Sequence, residues 1–302
     1  MLKLKDKIVL SPLFLVSMFP LWIQYRVSDF IYFITYYVVG YRKKVVAQNL
    51  ENSFPGKDKK ELTSIAKRFY RHLCDVFFES LFLLTISKKN AKNRYQINNP
   101  EVIEKLKNEN KSMIMATNHY ANWEWGSIFS LYYPEFKALP VYRPLSNKMF
   151  DRFFLYLRSR FGATPVPMKQ TLRTLITIQR EKTLFGLYSL GDQRPGIEDL
   201  NYWTTFLNQD TPIITGIEKL AKKFNLAVVF MDIDKIKRGE YQTTFKLISD
   251  KPKDEPDYAI TEKYARMLEQ MILRKPELWL WSHKRWKFKK ADYISNSNSH
   301  ND

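Results

Sequence analysis

Lys111-Ser112-Met113-Ile114-Met115-Ala116-Thr117-Asn118-His119-Tyr120-Ala121-Asn122-Trp123-Glu124 is the stretch on which the reading of the fold turns. Its first half is a short apolar run that reads as a buried strand, and a helix is expected from Trp123 onward. The same texture recurs downstream. Apolar runs at 184–188 and 227–231 alternate with helical patterns at 171–180 and 212–224. That alternation predicts βαβ units, hence an α/β fold with a mixed, mostly parallel central sheet flanked by helices. Residues 241–248 alternate like an exposed strand, and 257–274 read as a late amphipathic helix. Upstream, Leu62, Ile65, Ala66, Phe69, Leu73, Val76, Phe77 and Leu81 keep helical spacing across 57–85. The polar stretch 87–94 reads as a connection. There is no internal repeat, Gly-rich phosphate loop or dinucleotide fingerprint.

At 302 residues the chain is long enough for one large α/β domain. Hydrophobic residues at 45% and aromatics at 15% exclude a disordered chain. Lys and Arg total 49 against 31 Asp and Glu, a formal charge of +18, which points to a polyanionic partner. Nucleic acid, an anionic membrane surface and acidic or phosphorylated substrates all satisfy that charge. Cys74 is the one cysteine, so no internal disulfide is implied, and its apolar helical setting reads as a buried structural thiol. His72, His119, His283 and His300 are scattered without cysteine partners, so no zinc site is expected.

Residues 8–23 are almost wholly apolar, but as a helix they would span about 24 Å against a hydrocarbon core of roughly 30 Å. Pro12 and Pro20 interrupt the segment, and no small-residue cleavage site follows it. A second run, 30–41, is dense in Tyr and Phe. Lys3, Lys5 and Lys7 precede the region and Arg42, Lys43 and Lys44 follow it. Basic flanks on both sides favour a re-entrant hairpin or an in-plane interfacial pair over a single pass. A buried helical hairpin is the competing reading. Residues 1–41 are therefore expected to be a membrane-anchoring or interfacial helical segment, 42–295 the catalytic domain, and 296–302 a disordered tail.

His119 would sit just past a strand's carboxyl end, where open α/β sheets bind ligands, with Glu124 in the first turn of the next helix. A carboxylate at that spacing can fold back to the imidazole, fix its tautomer and stabilise the imidazolium. His119 is thus a candidate base that deprotonates a hydroxyl for direct attack on a thioester. His-x4-Glu spacing alone also fits a structural pair.

The neighbouring residues add a resemblance. Asn118-His119-Tyr120-Ala121-Asn122-Trp123-Glu124 is similar to the His-x-Gly-Asn-Trp-Glu signature of the bacterial lipid A late acyltransferases, with Ala121 where Gly is usual. Other blocks agree in order: Tyr41-Arg42-Lys43-Lys44-Val45-Val46 with Asn49-Leu50 and Phe54-Pro55; Tyr142-Arg143-Pro144-Leu145 with Phe161-Gly162-Ala163; Gly191-Asp192-Gln193; Thr215-Gly216-Ile217-Glu218-Lys219-Leu220-Ala221; and the block from Leu278 to Lys287. The resemblance covers about 41–287. It implies the glycerolipid-acyltransferase type of α/β fold and transfer of an acyl chain from acyl carrier protein to a hydroxyl of a lipid A precursor. Acyl carrier protein, a phosphorylated lipid acceptor and the anionic cytoplasmic face of the inner membrane are the implied partners, with acyl-carrier-protein thioester as co-substrate and no separate cofactor or metal.

Catalytic roles then fall to His119 and Glu124. Substrate binding falls to Arg143, Asp192, Gln193, Asn122 and Arg194. Arg143 would clamp a phosphate or orient Glu124, unless it forms a surface ion pair. Asp192 and Gln193, at another strand end, would bind the sugar acceptor or organise the site's electrostatics. Trp279, Trp281 and Trp286, interleaved with His283, Lys284, Arg285 and Lys287, would suit base stacking, but a core-packed Trp pair with a basic edge is preferred and no nucleic acid is expected. Two other readings remain: the same chemistry on another glycosylated, amino-acid or glycerol-based lipid, and a non-enzymatic basic scaffold.

Overall fold

The computed structural model describes residues 3–290, so the expected tail lies outside the described residues. A seven-stranded sheet runs β1 (Tyr95–Ile97), β9 (Glu240–Ser249), β8 (Ala227–Lys237), β2 (Met113–Thr117), β5 (Phe185–Leu190), β3 (Lys137–Tyr142) and β4 (Val166–Pro167) from edge to edge. Every pairing is parallel except the β8–β9 hairpin, so the sheet is mixed and mostly parallel, as the alternating pattern predicts. All five residues of β2 are buried, because helices cover both faces of a central parallel strand. β6 (Trp203–Phe206) and β7 (Gln209–Pro212) form a separate antiparallel ribbon.

Around the sheet lie α1 (Leu4–Met18), α2 (Leu21–Phe33), α3 (Lys43–Ser53), α4 (Lys59–Phe82), α5 (Lys88–Arg94), α6 (Glu101–Asn108), α7 (Phe129–Tyr132), α8 (Lys148–Ser159), α9 (Thr171–Arg180), α10 (Gly216–Phe224) and α11 (Ala259–Arg274). The long α4 begins at Asp58, whose carboxylate accepts from the backbone N–H of Lys60 and Glu61 while Glu61 closes a capping box. It packs against α1 and α2, and its His72 and Glu79 reach Ala121 and Asn122 in the loop after β2.

Some expectations shift. The polar stretch 87–94 is a helix, α5, capped by Ser87, with only Ala91 buried; so short a buried face leaves no apolar periodicity to read. The pattern at 212–224 divides, since Pro212 ends β7 and helix begins at Gly216. β9 is not exposed: β1 pairs along it, and Tyr241, Thr243 and Phe245 are buried. Trp123–Ile128 opens as a 3₁₀ segment before the α-turn of α7.

The placement of the site follows from register. β2 and β5 run flush, Thr117 pairing with Leu190, so the residues that follow them emerge side by side at the same end of the sheet. Those residues are Asn118-His119 and Gly191-Asp192. Gly191 is needed there: a Cβ would come within 3.0 Å of Tyr264 and 3.1 Å of Ile217, against the ring whose hydroxyl donates to the Thr117 carbonyl.

Candidate active site

His119 is held by one carboxylate. Asp192 Oδ2 accepts from the His119 backbone N–H at 2.9 Å, and Oδ1 lies 2.8 Å from His119 Nδ1. Trp279 Nε1 donates to the same Oδ2 at 3.0 Å. Burial opposes a charge on Asp192, but His119 and these hydrogen bonds outweigh it and hold the carboxyl below its usual range. An ionised carboxylate only accepts, so in the neutral ring Nδ1 carries the proton and Nε2 is the bare acceptor. Gln193 Nε2 stands 3.3 Å from His119 Nε2, and the Trp123 ring meets the imidazole edge-on at 5.1 Å. The His119 side chain keeps 19% of its surface open.

The expected pairing of Glu124 with His119 is not found. Ala121 takes a left-handed backbone (φ 52°), the chain reverses, and Trp123 comes to pack on the imidazole. Glu124 instead meets Arg158 of α8 in a two-point contact, Nε to Oε2 at 2.9 Å and Nη2 to Oε1 at 2.6 Å. Burial works against the Arg158 charge, and Glu124 more than restores it, raising its pKa. Arg143 is likewise not the arginine on Glu124; it lies exposed past the end of β3. Nothing in the sequence singled out Arg158 except its place directly after the buried Leu157 on an amphipathic helix.

Asn122 is fully buried, its Nδ2 donating to Glu79 Oε2 at 2.9 Å. Glu79 is a hub that the apolar reading of α4 passed over. Its carboxylate also accepts from Tyr25 Oη, Tyr241 Oη and the Gly239 N–H, and its carbonyl from Trp125 Nε1. Burial raises the Glu79 pKa, while Lys235 and the Tyr241 and Asn122 hydrogen bonds act against that rise. A second support comes from His72, whose Nε2 lies 3.1 Å from the Ala121 carbonyl and whose Nδ1 faces Lys235 Nζ at 3.1 Å. Burial and then Lys235 push His72 well below its ordinary value, so it is a neutral strut.

The tryptophan-rich block closes the site from the other side. Tyr120 bridges to Trp279, the Leu280 N–H donates to the His119 carbonyl at 3.1 Å, and the Ala121 N–H to the Leu278 carbonyl at 3.0 Å. Trp279 and Trp281 are buried and packed edge to face at 4.8 Å, so their rings are not open for base stacking. His283, pushed down to about 4 mainly by burial, faces the Arg194 backbone N–H at 3.4 Å, and the Arg194 guanidinium stacks over Phe288. Arg285 is buried, and burial lowers its pKa to about 10. Among the described residues no group of three or more His, Cys, Asp or Glu side chains is arranged to hold a metal.

A base with a carboxylate behind it, at the carboxyl end of a parallel sheet, is equipped to take a proton from a hydroxyl. No curated protein matches the chain as an individual relative. Residues 3–288 match the family model described as bacterial lipid A biosynthesis acyltransferase, in accord with the motif blocks read from the sequence. A match over nearly the whole length settles the assignment: the chain belongs to the bacterial lipid A biosynthesis acyltransferase family.

Proposed function

We propose that this acyltransferase moves a fatty acyl chain from an acyl carrier protein thioester to a hydroxyl of a phosphorylated lipid A precursor at the cytoplasmic face of the inner membrane. The observation that carries the mechanism is His119 Nδ1 held at 2.8 Å by buried Asp192, with Nε2 facing the Gln193 amide on a side chain that stays partly open. The acceptor hydroxyl takes the place of Gln193 at Nε2. As its oxygen attacks the thioester carbonyl, its proton passes to Nε2, and Asp192 stabilises the imidazolium. Collapse of the tetrahedral intermediate breaks the C–S bond, forms the ester, and returns the proton from Nε2 to the departing thiolate. No covalent enzyme intermediate is required.

Arg158, fixed by Glu124, supplies a preorganised guanidinium for a phosphate or for the developing oxyanion. Glu124 therefore acts on the reaction through Arg158. Gln193 contacts the acceptor, while Arg143 and Arg194 are cations at the rim. The charge of +18 complements both the acidic carrier protein and the phosphorylated acceptor. Purified chain, acyl carrier protein thioester and labelled lipid A precursor provide the test. Transfer that depends on His119 is the expected result; full activity of His119→Ala overturns the mechanism. Unchanged acylation of lipid A in a strain lacking the chain overturns the acceptor and leaves another membrane lipid in its place.

A further inference from the structure

α2 is built inside out. Gln24 and Ser28 are buried, Ser28 Oγ donates to Asp75 Oδ1 at 2.8 Å, and Tyr25 Oη to Glu79 Oε1 at 2.9 Å. Asp29 meets Arg238 Nη2 at 2.8 Å, and the same guanidinium holds Asp75. The polar stripe of the helix thus faces α4 and the β8–β9 hairpin. Its opposite face is open and, apart from the exposed Arg26, apolar: Trp22 is 67% exposed and Phe30 62%. α1 is fastened as well, Asp6 taking two contacts at 2.7 Å from Arg152 of α8, while Val9, Leu15 and Met18 point outward. Past α2 the π-helical turn Ile34–Val39 exposes Tyr37, Val38 and Val39.

Among the described residues no single helix is long and apolar enough to cross a membrane. Ile8–Met18 and Leu21–Val39 meet that test only together, with a 113° bend between them. Straightening the pair would pull either Tyr25 and Ser28 of α2 off the buried Glu79 and Asp75, or the buried Asp6 of α1 off Arg152, at the cost of hydrogen bonds to a desolvated carboxylate. Cations collar the patch. Lys43 lies 4.1 Å from the Tyr36 ring centroid, Arg71 5.4 Å from that of Tyr32 and Lys67 5.9 Å from that of Tyr37. Aromatic rings beside lysines and arginines around an apolar face match the level of anionic headgroups.

We infer that the bent pair formed by α1, α2 and the turn Ile34–Val39 lies in the plane of one leaflet of an anionic bilayer and does not cross it. This rests on the reading that the enzyme serves a membrane lipid, and adds how it sits there. The patch continues onto α8, where Tyr156 packs against Phe14 at 6.0 Å, and two residues further along α8 Arg158 holds Glu124. The turn of α8 that carries Arg158 therefore lies beside the leaflet surface.

Nitroxide depth measurements test the inference. Spin labels go singly onto Val9→Cys, Trp22→Cys and Phe33→Cys in a full chain carrying Cys74→Ala, bound to vesicles of phosphatidylethanolamine and phosphatidylglycerol. All three labels are expected in the outer acyl region of the contacted leaflet, none past the bilayer midplane. Binding is expected to weaken at least tenfold when Lys43 and Lys67 are changed to Glu, exposed positions outside the network of Asp29, Asp75 and Glu79. Any label beyond the midplane overturns the inference in favour of a span. Loss of vesicle binding together with a lipid-free dimer that buries the three labels overturns it in favour of a second copy of the chain. These readings need no substrate, so a chain that seats in the leaflet yet transfers no acyl group counts against the proposed function alone.

Discussion

Asp192→Asn separates a carboxylate that orients His119 from one that merely fills space. Oδ2 receives two fixed donors, the His119 backbone N–H at 2.9 Å and Trp279 Nε1 at 3.0 Å. The amide oxygen of an asparagine must therefore take that position. Its NH2 then replaces Oδ1, 2.8 Å from His119 Nδ1, and presents a donor where an acceptor stood. The imidazole can satisfy it only by moving its proton to Nε2, the atom that has to receive the substrate proton. A base locked in the wrong tautomer loses on the order of 10³–10⁴-fold in kcat, about 4–5.5 kcal/mol of barrier. The loss should fall on kcat with little change in KM, because no contact to substrate is removed. The assay is transfer from purified acyl carrier protein thioester to labelled lipid A precursor in vesicles, with thermal unfolding run alongside to show that the variant is folded. A folded Asp192→Asn enzyme with kcat within threefold of wild type would refute the assigned role.

Further outcomes concern the groups around this pair. Arg158→Ala strands the buried Glu124 carboxylate and should destabilise the protein by about 3–5 kcal/mol while abolishing transfer; Arg158→Lys keeps the charge but not the fork and should recover the stability more fully than the rate. Equal rates for the wild type and the lysine variant would show that the two-point geometry is dispensable. Ala121→Gly removes a Cβ from a left-handed backbone and should raise stability by up to about 1 kcal/mol, the strain relieved slightly exceeding the added unfolded-state entropy; an unfolding curve shifted downward contradicts this. For pH, His72 is held neutral well below the ordinary 6.5, so the unfolded chain takes up the extra proton as acidity rises. Its contribution is complete above pH 6.5 and is lost below it, by about 1.4 kcal/mol per pH unit until the folded value is reached. Unfolding at pH 7.5 and 5.5 should show a shallower slope for His72→Gln than for wild type; equal slopes would remove His72 from the account.

The parts of the fold legible in the sequence were those with a local period. β2 and α9 appear where the apolar runs place them, and α4 and α11 within a few residues. α5 was not legible because it buries one residue. The candidate site was legible in its members and not in its pairings. His119, Glu124, Asp192 and Gln193 were all singled out, but which carboxylate faces the imidazole depends on two facts that leave no local trace. One is the flush parallel register of β2 and β5, which brings residues 119 and 192 together. The other is the left-handed turn at Ala121, which sends Glu124 to Arg158. Buried polar groups were the harder loss. Glu79 stands between Phe78 and Ser80, and a search for apolar periodicity passes over it, although a carboxylate on the buried face of a helix requires donors from elsewhere in the chain. The stripe Gln24, Tyr25, Ser28 and Asp29 was visible as polar residues within a greasy segment, and its spacing marks one helix face.

The central claim is that His119 Nε2 takes the acceptor's proton during transfer to a lipid A precursor. The most direct measurement is single-turnover acyl transfer by purified His119→Ala in anionic vesicles, with vesicle binding and thermal unfolding followed in the same preparation. The account requires a rate at least 10³-fold below wild type with binding unchanged. A His119→Ala protein that transfers acyl groups within tenfold of wild type would contradict it.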